Sequence, residues 1–518
     1  MKGTLGLSLP LLAAETLHGY ASRLARAYGT DLVSFCADLG LALMGLVSGA
    51  ARDVAALAAL TGEPEAELVR RAPVGTHEFR TLAGQRLNRN ELRCGRLLVC
   101  PACLREDVSR AGLASDLGAF VRMEWLVRTI RTCHVHDIAL QPVDEPPPKW
   151  PASRYHDRAS RVAGCLDNLD ALALRAEVRK ASGLERHLVG RLRGDGAPSP
   201  LLDAVPFDIA VTICEHVGAL ALHGSSCSIR EIGPEGLGTA AAAGFDVLSG
   251  GEPDLRSFLK EIHRTFVRGF SSNEGAAAIY DPVYVLIKKS RLADDYEPIR
   301  TILRQHILAT MPIAAGTNLL GEVVPVRLLH SLRTAAEEIG KPGLKLRKLL
   351  AGAGLLPDGH ESMSAGRVIF DAQALSALKS TLQHGLNSAQ AAKRLNLPRA
   401  ALRSLSWGGL IEHTVLQNGA SGSRFFDEAT IDRFLDRLTA EAQQVAECGP
   451  GIQNVMGAAR TLGRSVVVVL RLIMDGELSW VGRQAGVEGG LKPGHSRATS
   501  SRIRPIGFSF VFSFRGLK

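Results

Sequence analysis

The sequence predicts a mainly α-helical, multidomain chain. Three observations predict it. Leu, Ala and Arg recur while aromatic residues make up only 5% of the 518 residues. Apolar residues return at three- and four-residue spacing along most of the chain. One helix, turn, helix pattern is also written three times near the C-terminal end. A chain this long exceeds a single hydrophobic core and divides into about two to four domains of about 100–200 residues.

Composition narrows the class. A hydrophobic share of 46% with 22% charged residues belongs to a globular chain, not a disordered one. The most apolar run near the start, "LGLALMGLVSGA", is about a dozen residues long against the roughly 20 of a spanning helix, so no membrane partner is expected. The first residues imitate a signal peptide, but the apolar run stops at Glu15 and helical sequence continues through it. Nine cysteines, an odd number spread over the chain, argue against a disulfide framework and for a reducing, cytoplasmic location. The net charge of +9 permits a polyanionic partner without specifying one.

Residues 1–92 read as a helical region. In "ETLHGYASRLARAYG" Leu17, Tyr20, Leu24 and Tyr28 fall on one side, and "ARDVAALAALTGEPEAELVRR" gives a helix pair broken at Gly62 and Pro64. Residues 93–142 read as a zinc-binding module. Cys100 and Cys103 form a CPxC knuckle, and Cys133 and His136 form CxxH. Tetrahedral zinc takes thiolate sulfur and imidazole nitrogen, and a two-residue gap lets a tight turn aim both ligands at one point. Between the knuckles, "GAFVRMEWLVRTIR" reads as a helix that returns the chain. Four protein ligands with no open position indicate one structural Zn2+ rather than a catalytic one. Cys94 and His134 are nearby substitutes, and four ordinary reduced core residues are the bland alternative. A looser set, Cys214, His216, His223 and Cys227, lies on different helical faces and reads as a buried helix.

"VDEPPPKWP" (143–151) is the clearest linker, because consecutive prolines stay extended. Residues 152–325 are helical again, with a glycine-rich break at "AAAGFDVLSGGEP". Three repeats follow, at 326–384, 385–440 and 449–518. "AAEEIGKPGLKLRKLLAGAGLL", "AAKRLNLPRAALRSLSWGGLI" and "AARTLGRSVVVVLRLIMDGEL" each begin with an Ala pair and place Ile339, Leu395 or Leu462 before a tight turn. Each then resumes with paired apolar positions: Leu346 and Leu349, Leu402 and Leu405, Val469 and Leu472. Small alanines let two short helices cross closely. In the first two copies a glycine, a short strand, an N-capping Asp371 or Asp427 and an amphipathic helix complete a winged helix-turn-helix. The third copy is degenerate and apolar nearly all round, so its second helix is expected to dock on protein.

The second helix of such a unit enters the major groove. Candidate double-stranded DNA contacts are therefore Lys345, Arg347 and Lys348 in the first repeat and Arg399 and Arg403 in the second, with Arg367 and Arg424 on the wings. The alternative is a solvated basic face. The basic tail ends in alternating Phe508, Phe510, Phe512 and Phe514, an edge strand or an interaction arm. No phosphate-cradling GxxxxGK[ST] loop, HExxH or nucleophile motif is present, so the chain is not expected to be an enzyme. A metal-dependent nuclease built from dispersed carboxylates is the remaining enzymatic reading.

"AETLHGYASRLARAYG", "CPACLRED", Arg122 and Trp125 before "CHVHDIAL", and "AAAGFDVLSGGEPDLRSFL" together resemble the TniQ/TnsD family of bacterial transposon target-site proteins over residues 8–325. The resemblance implies a zinc-bearing helical adaptor without transposition chemistry of its own. Such a protein binds attachment-site DNA or an RNA-guided effector complex. It recruits the transposon's AAA+ ATPase and, through it, the transposase. Family members often carry another Cys-x-x-Cys knuckle after the CxxH, whereas "LQPVDEPPPKW" has none, so one zinc is expected. The leading reading is a sequence-reading target-site selector, compatible with a homodimer. The alternative is an adaptor whose specificity lies in a partner.

Overall fold

The computed structural model describes residues 5–76, 78–93, 95–109, 113–144, 156–266, 275–395, 397–416, 423–440, 442–445, 452–478, 480–484 and 510–513. The chain is mainly helical and falls into two compact units, with the division near Ile307.

The first unit opens with α1 (Leu17–Ala27), α2 (Leu32–Asp38), α3 (Leu43–Ser48), α4 (Ala51–Thr61) and α5 (Glu65–Arg70). Thr16 caps α1 by accepting from the Gly19 N–H, and Gly62, in the left-handed region, stops α4. Leu17, Tyr20 and Leu24 are fully buried in the core with Leu46, Val54, Leu57 and Leu68. Tyr28 is not. It lies just past the last residue of α1, is 41% exposed, and its hydroxyl bonds the Leu7 backbone. An antiparallel meander follows, β1 (Val74–Gly75), β2 (Phe79–Leu82) and β3 (Gln85–Asn88), in that order. Then come β4 (Leu98–Val99), α6 (Pro101–Ser109), α7 (Ser115–Gly118) and β5 (Gln141–Pro142), with β4 and β5 paired antiparallel so that the module closes on itself.

The expected linker lies mostly outside the described residues. The elements beyond it, α8 (Arg158–Ala163) and α9 (Leu169–Arg175), pack on α1 and α6 within the same unit. The remainder is α10 (Gly183–Arg193), α11 (Pro200–Asp203), α12 (Phe207–His223), α13 (Pro234–Leu248), α14 (Glu252–Thr265), α15 (Ala277–Tyr280), α16 (Val283–Lys289) and α17 (Glu297–Thr310). The glycine-rich break falls later than expected. Gly244 stays inside α13, where an added Cβ would meet the Cys214 carbonyl oxygen at 1.9 Å, and the chain turns only at Gly250 and Gly251. Glycine there permits close contact between α12 and α13 rather than a break.

The second unit carries the repeats. After the small β6 (Asn318–Leu319) and β7 (Glu322–Val323) hairpin, the first copy is β8 (Leu329–Ser331), α18 (Leu332–Ile339), α19 (Gly343–Gly352), β9 (Ile369–Asp371) and α20 (Ala372–His384). The second is β10 (Leu386–Asn387), α21 (Ser388–Arg394), α22 (Arg399–Trp407), β11 (Thr414–Leu416), β12 (Ser423–Phe426) and α23 (Glu428–Thr439). The third is β13 (Gln443–Val445), β14 (Ile452–Gln453), α24 (Val455–Thr461), α25 (Val466–Met474), β15 (Val481–Gln484) and β16 (Phe510–Ser513). Asp371 and Asp427 cap α20 and α23 through their side chains.

The apolar register differs by one position in two copies. Leu346 and Leu350 are the fully buried pair of α19, and Val469, Leu470 and Ile473 those of α25. A four-residue step keeps the stripe on one face of a two-turn helix. The Phe-rich tail supplies β16, an inner strand of the sheet β13-β15-β16-β14; Phe508 and Phe514 lie outside the described residues.

Candidate metal centre and nucleic-acid interface

Cys100 ends the extended segment after β4, and Cys103 lies in the first turn of α6, donating its N–H to the Cys100 sulfur at 3.4 Å. Cys133 and His136 lie on a second turn, closed by the Cys133 N–H to the Ile138 carbonyl at 2.9 Å and the Asp137 N–H to the Cys133 carbonyl at 2.9 Å. The four side chains converge, with their ligand atoms all within 4.8 Å of one another. The His136 Nδ1 stands 3.5, 3.3 and 3.5 Å from the sulfurs of Cys100, Cys103 and Cys133, and Cys103 Sγ is 3.6 Å from Cys133 Sγ. Bonds of about 2.3 Å to sulfur and about 2.0–2.1 Å to nitrogen at tetrahedral angles give edges of about 3.8 Å between sulfurs and about 3.6 Å between sulfur and nitrogen. These four separations therefore match edges of a zinc tetrahedron. Cys94 lies outside the described residues, and His134 is not in the group.

Three buried thiols this close cannot ionise independently. Hydrogen bonds from Cys100 and Cys103 hold the Cys133 thiol far below its ordinary range, and the bonds to Cys100 and Cys133 push Cys103 up. A divalent cation is the charge that such a donor set suits. The far nitrogen of His136, Nε2, is 2.9 Å from the Glu106 carboxylate. That contact fixes the ring with Nδ1 facing the sulfurs, the usual carboxylate support of a metal-binding imidazole.

The segment between the knuckles is not the expected helix. Residues 119–122 are extended, Met123–Leu126 form one 3-10 turn, and Arg122 points inward. Backbone bonds from Thr16 to Val121, from Met123 to Ala14 and from Arg93 to Leu126 pair this segment with distant chain. Arg122 grips the buried Asp107 of α6 through two bonds of 2.9 and 3.0 Å, between the rings of Phe120 and Trp125. Arg93 donates to four carbonyls, those of Trp125, Val127, Arg128 and Ile130. Glu185 accepts from the Arg131 and Thr132 N–H groups at 2.8 and 2.9 Å while its other oxygen caps α10. The second knuckle is thereby held to the first by buried charge. Helical periodicity missed this, although one signal was present: three arginines and one acid within an otherwise apolar stretch.

Cys214 is fully buried on α12, the His216 Nδ1 faces the Thr212 carbonyl, and Cys227 lies beyond the helix end, so this looser cysteine and histidine set does not converge as metal ligands among the described residues.

The sequence pattern of the TniQ family matches residues 7–140. This stretch is a TniQ domain. It contains α1 to α7, both knuckles, and the Arg122 and Arg93 supports. It covers the first part of the stretch whose motifs resemble the family. A TniQ domain marks the chain as transposition-associated. No curated protein matches the chain. No described helix is long and apolar enough to cross a membrane.

Beyond the TniQ domain, the structure places the predicted DNA contacts as follows. Arg399 and Arg403 are exposed on α22, with the small Ala400 and Ser404 exposed beside them. Lys345 and Lys348 are exposed on α19, and Arg367 is exposed just before β9. Arg424 is half-buried on β12, the returning strand of the β11–β12 hairpin. Arg347 is not outward. It is half-buried and donates to the carbonyls of His360, Glu361 and Met363 at 2.5, 3.1 and 2.8 Å, because the loop after α19 folds back over it. Trp407, absent from the sequence-derived set, is 70% exposed at the end of α22.

Proposed function

We propose that the chain is a zinc-containing, DNA-binding target-site selector of a bacterial transposon. It reads attachment-site DNA and recruits the transposition ATPase, and through it the transposase, without catalysing the transfer. The observation that supports the reading best is the outward face of α22. Small Ala400 and Ser404 allow the helix to approach base edges, while Arg399 and Arg403, one turn apart, suit guanine edges or phosphates. Lys345 and Lys348 on α19, with Arg367 and Arg424 beside the strands, suit backbone phosphates. Arg347 belongs to this interface only indirectly, by fixing the loop behind α19.

Cys100, Cys103, Cys133 and His136 hold one structural zinc in this proposal. The ion supplies rigidity to the TniQ domain, and the C-terminal repeats supply the reading. The segments 326–384, 385–440 and 449–518 share the labour unequally, with the second copy as the principal reader.

The test is selection of genomic DNA fragments by the purified chain at near-physiological salt, with Arg399→Ala/Arg403→Ala beside the wild type. One enriched sequence, favoured at least about a thousandfold over random DNA and lost in the variant, is the expected result. No enriched sequence would move specificity to a partner such as an RNA-guided effector complex and make this chain an adaptor. Turnover of DNA abolished by chelation would make it a nuclease.

A further inference from the structure

The end of α22 carries an arrangement that α-helical periodicity does not require. The Trp407 ring is 70% exposed, and two guanidinium groups lie over it: Arg403 from the same helix at 5.9 Å and Arg424 from strand β12 at 5.8 Å. Neither arginine has a carboxylate partner among the described residues. The Nε of Arg424 is buried without a hydrogen-bond partner. Arg394 in the same repeat shows the contrast: it is neutralised by Glu428 at 2.6 Å and by both oxygens of Asp432. Arg394 is thus given acids, while the two at Trp407 are given a ring face.

The surroundings fix the backbone on either side of the ring. Ser406 Oγ, the neighbouring position, lies 2.9 Å from His413 Nδ1, and the His413 ring stacks on the buried Phe426 of β12. Gly408 gives its carbonyl to Arg471 of α25 at 2.7 Å and lies against Val467. The helix end and the hairpin are therefore tied together next to Trp407, and both cations lie within about 6 Å of its ring. Two like charges held round one indole repel each other, and an anion between them removes that repulsion.

We propose that Trp407 organises Arg403 and Arg424 into a two-arginine clamp for a phosphodiester of the DNA backbone, one arm from the helix in the groove and one from the wing. The proposal rests on the DNA-reading role of the second repeat and assigns Trp407 as a positioning residue within it. The clamp fixes how deeply α22 sits against the duplex, because guanidinium forks bind phosphate in a defined geometry.

The experiment measures binding of the full chain to a random-sequence 30-base-pair duplex, by fluorescence anisotropy across about 50–200 mM salt. Wild type is compared with Trp407→Leu, Trp407→Phe, Arg403→Gln/Arg424→Gln and the triple variant, each checked by circular dichroism. Every phosphate neutralised adds about 0.9 to the slope of log affinity against log salt, and the two arms share one phosphate. Trp407→Leu removes no charge and keeps apolar bulk, yet it is expected to lower that slope by about 1 and weaken binding tenfold or more. Trp407→Phe is expected to restore most of both. Adding Trp407→Leu to the double arginine variant is expected to change nothing further.

A Trp407→Leu protein with wild-type slope and affinity overturns the clamp while leaving DNA reading intact. A wild type with no salt-dependent duplex binding overturns the DNA-reading role itself. Loss of single-strand binding with duplex binding unchanged makes Trp407 a base-stacking platform and also overturns the clamp.

Discussion

Arg23→Met tests the charge buried under α1. Glu15 and Arg23 are 0% and 1% exposed in their side chains. The guanidinium bonds Glu15 at 2.6 and 2.9 Å, the Leu117 carbonyl at 2.7 Å and the Pro10 carbonyl at 2.8 Å, so every arm is used. Without it the carboxylate keeps the Leu12 N–H at 3.1 Å and little else. Breaking such a pair from one side typically costs about 3–5 kcal/mol. The pH dependence sharpens the test. Burial already raises Glu15 above its ordinary 4.5, Arg23 opposes that rise, and its removal lets the rise go further. A folded-state pKa above the unfolded one means stability is greatest at low pH and falls as pH rises through the folded value. Arg23→Met is therefore expected to lose about 3–5 kcal/mol at pH 7 and to recover part of that loss at pH 5. Urea unfolding followed by hydrogen-exchange mass spectrometry on α1 peptides reads the first unit by itself. Glu15→Gln/Arg23→Met should show no such recovery. A loss under about 1 kcal/mol, or one equal at both pH values, would refute the reasoning.

Two further outcomes follow from the first unit. Gly218→Ala puts a Cβ 1.6 Å from the Ala240 carbonyl oxygen and 2.8 Å from the Gly244 nitrogen. Because backbone cannot rotate away as a side chain can, α12 and α13 must separate; the expected loss is about 3 kcal/mol, read as a lower urea midpoint, and a neutral variant would contradict the packing. Glu215 on α12 is pushed up to about 7 by burial and then by the nearby Glu91 carboxylate. It should cost on the order of 3 kcal/mol of stability as pH rises from about 4.5 through about 7. Glu215→Gln is expected to flatten that part of the stability profile, and an unchanged profile would remove Glu215 as its cause.

Local features were legible in the sequence. The caps Asp371 and Asp427, the stop at Gly62 and the two knuckles each depend on residues within a few positions, so spacing alone exposes them. What spacing could not show is how distant chain segments meet. "GAFVRMEWLVRTIR" has helical periodicity, but pairing of its backbone with residues near Ala14 and Arg93 outweighs that preference, and Arg122 turns inward to Asp107. Gly244 reads as a breaker until α12 is placed against it. Trp407 falls one turn after Arg403, on the helix face away from Leu402 and Leu405, and is exposed there. Arg347 reads as outward, since nothing local announces that the loop will return over it.

On the proposed DNA-reading role, the degenerate third copy explains why the second is the best placed to read. α25 buries Val469, Leu470 and Ile473 in one core with Leu402 and Leu405 of α22, so it docks within the chain rather than facing a groove. On the other side, β12 alternates. Phe425 enters the core of the first copy and Phe426 that of the second, because successive strand residues point to opposite faces. The second helix pair is thus braced from both neighbours. Discrimination between bases needs contact groups held to within about half an ångström, which a lone two-helix unit with a small core does not provide. Sequence that looks like decay in the third copy, a run of valines where a basic face belongs, is the surface that supplies this bracing. On this argument, polar residues at Val469 and Leu470 would loosen α22 and relax base discrimination before they removed the basic face itself.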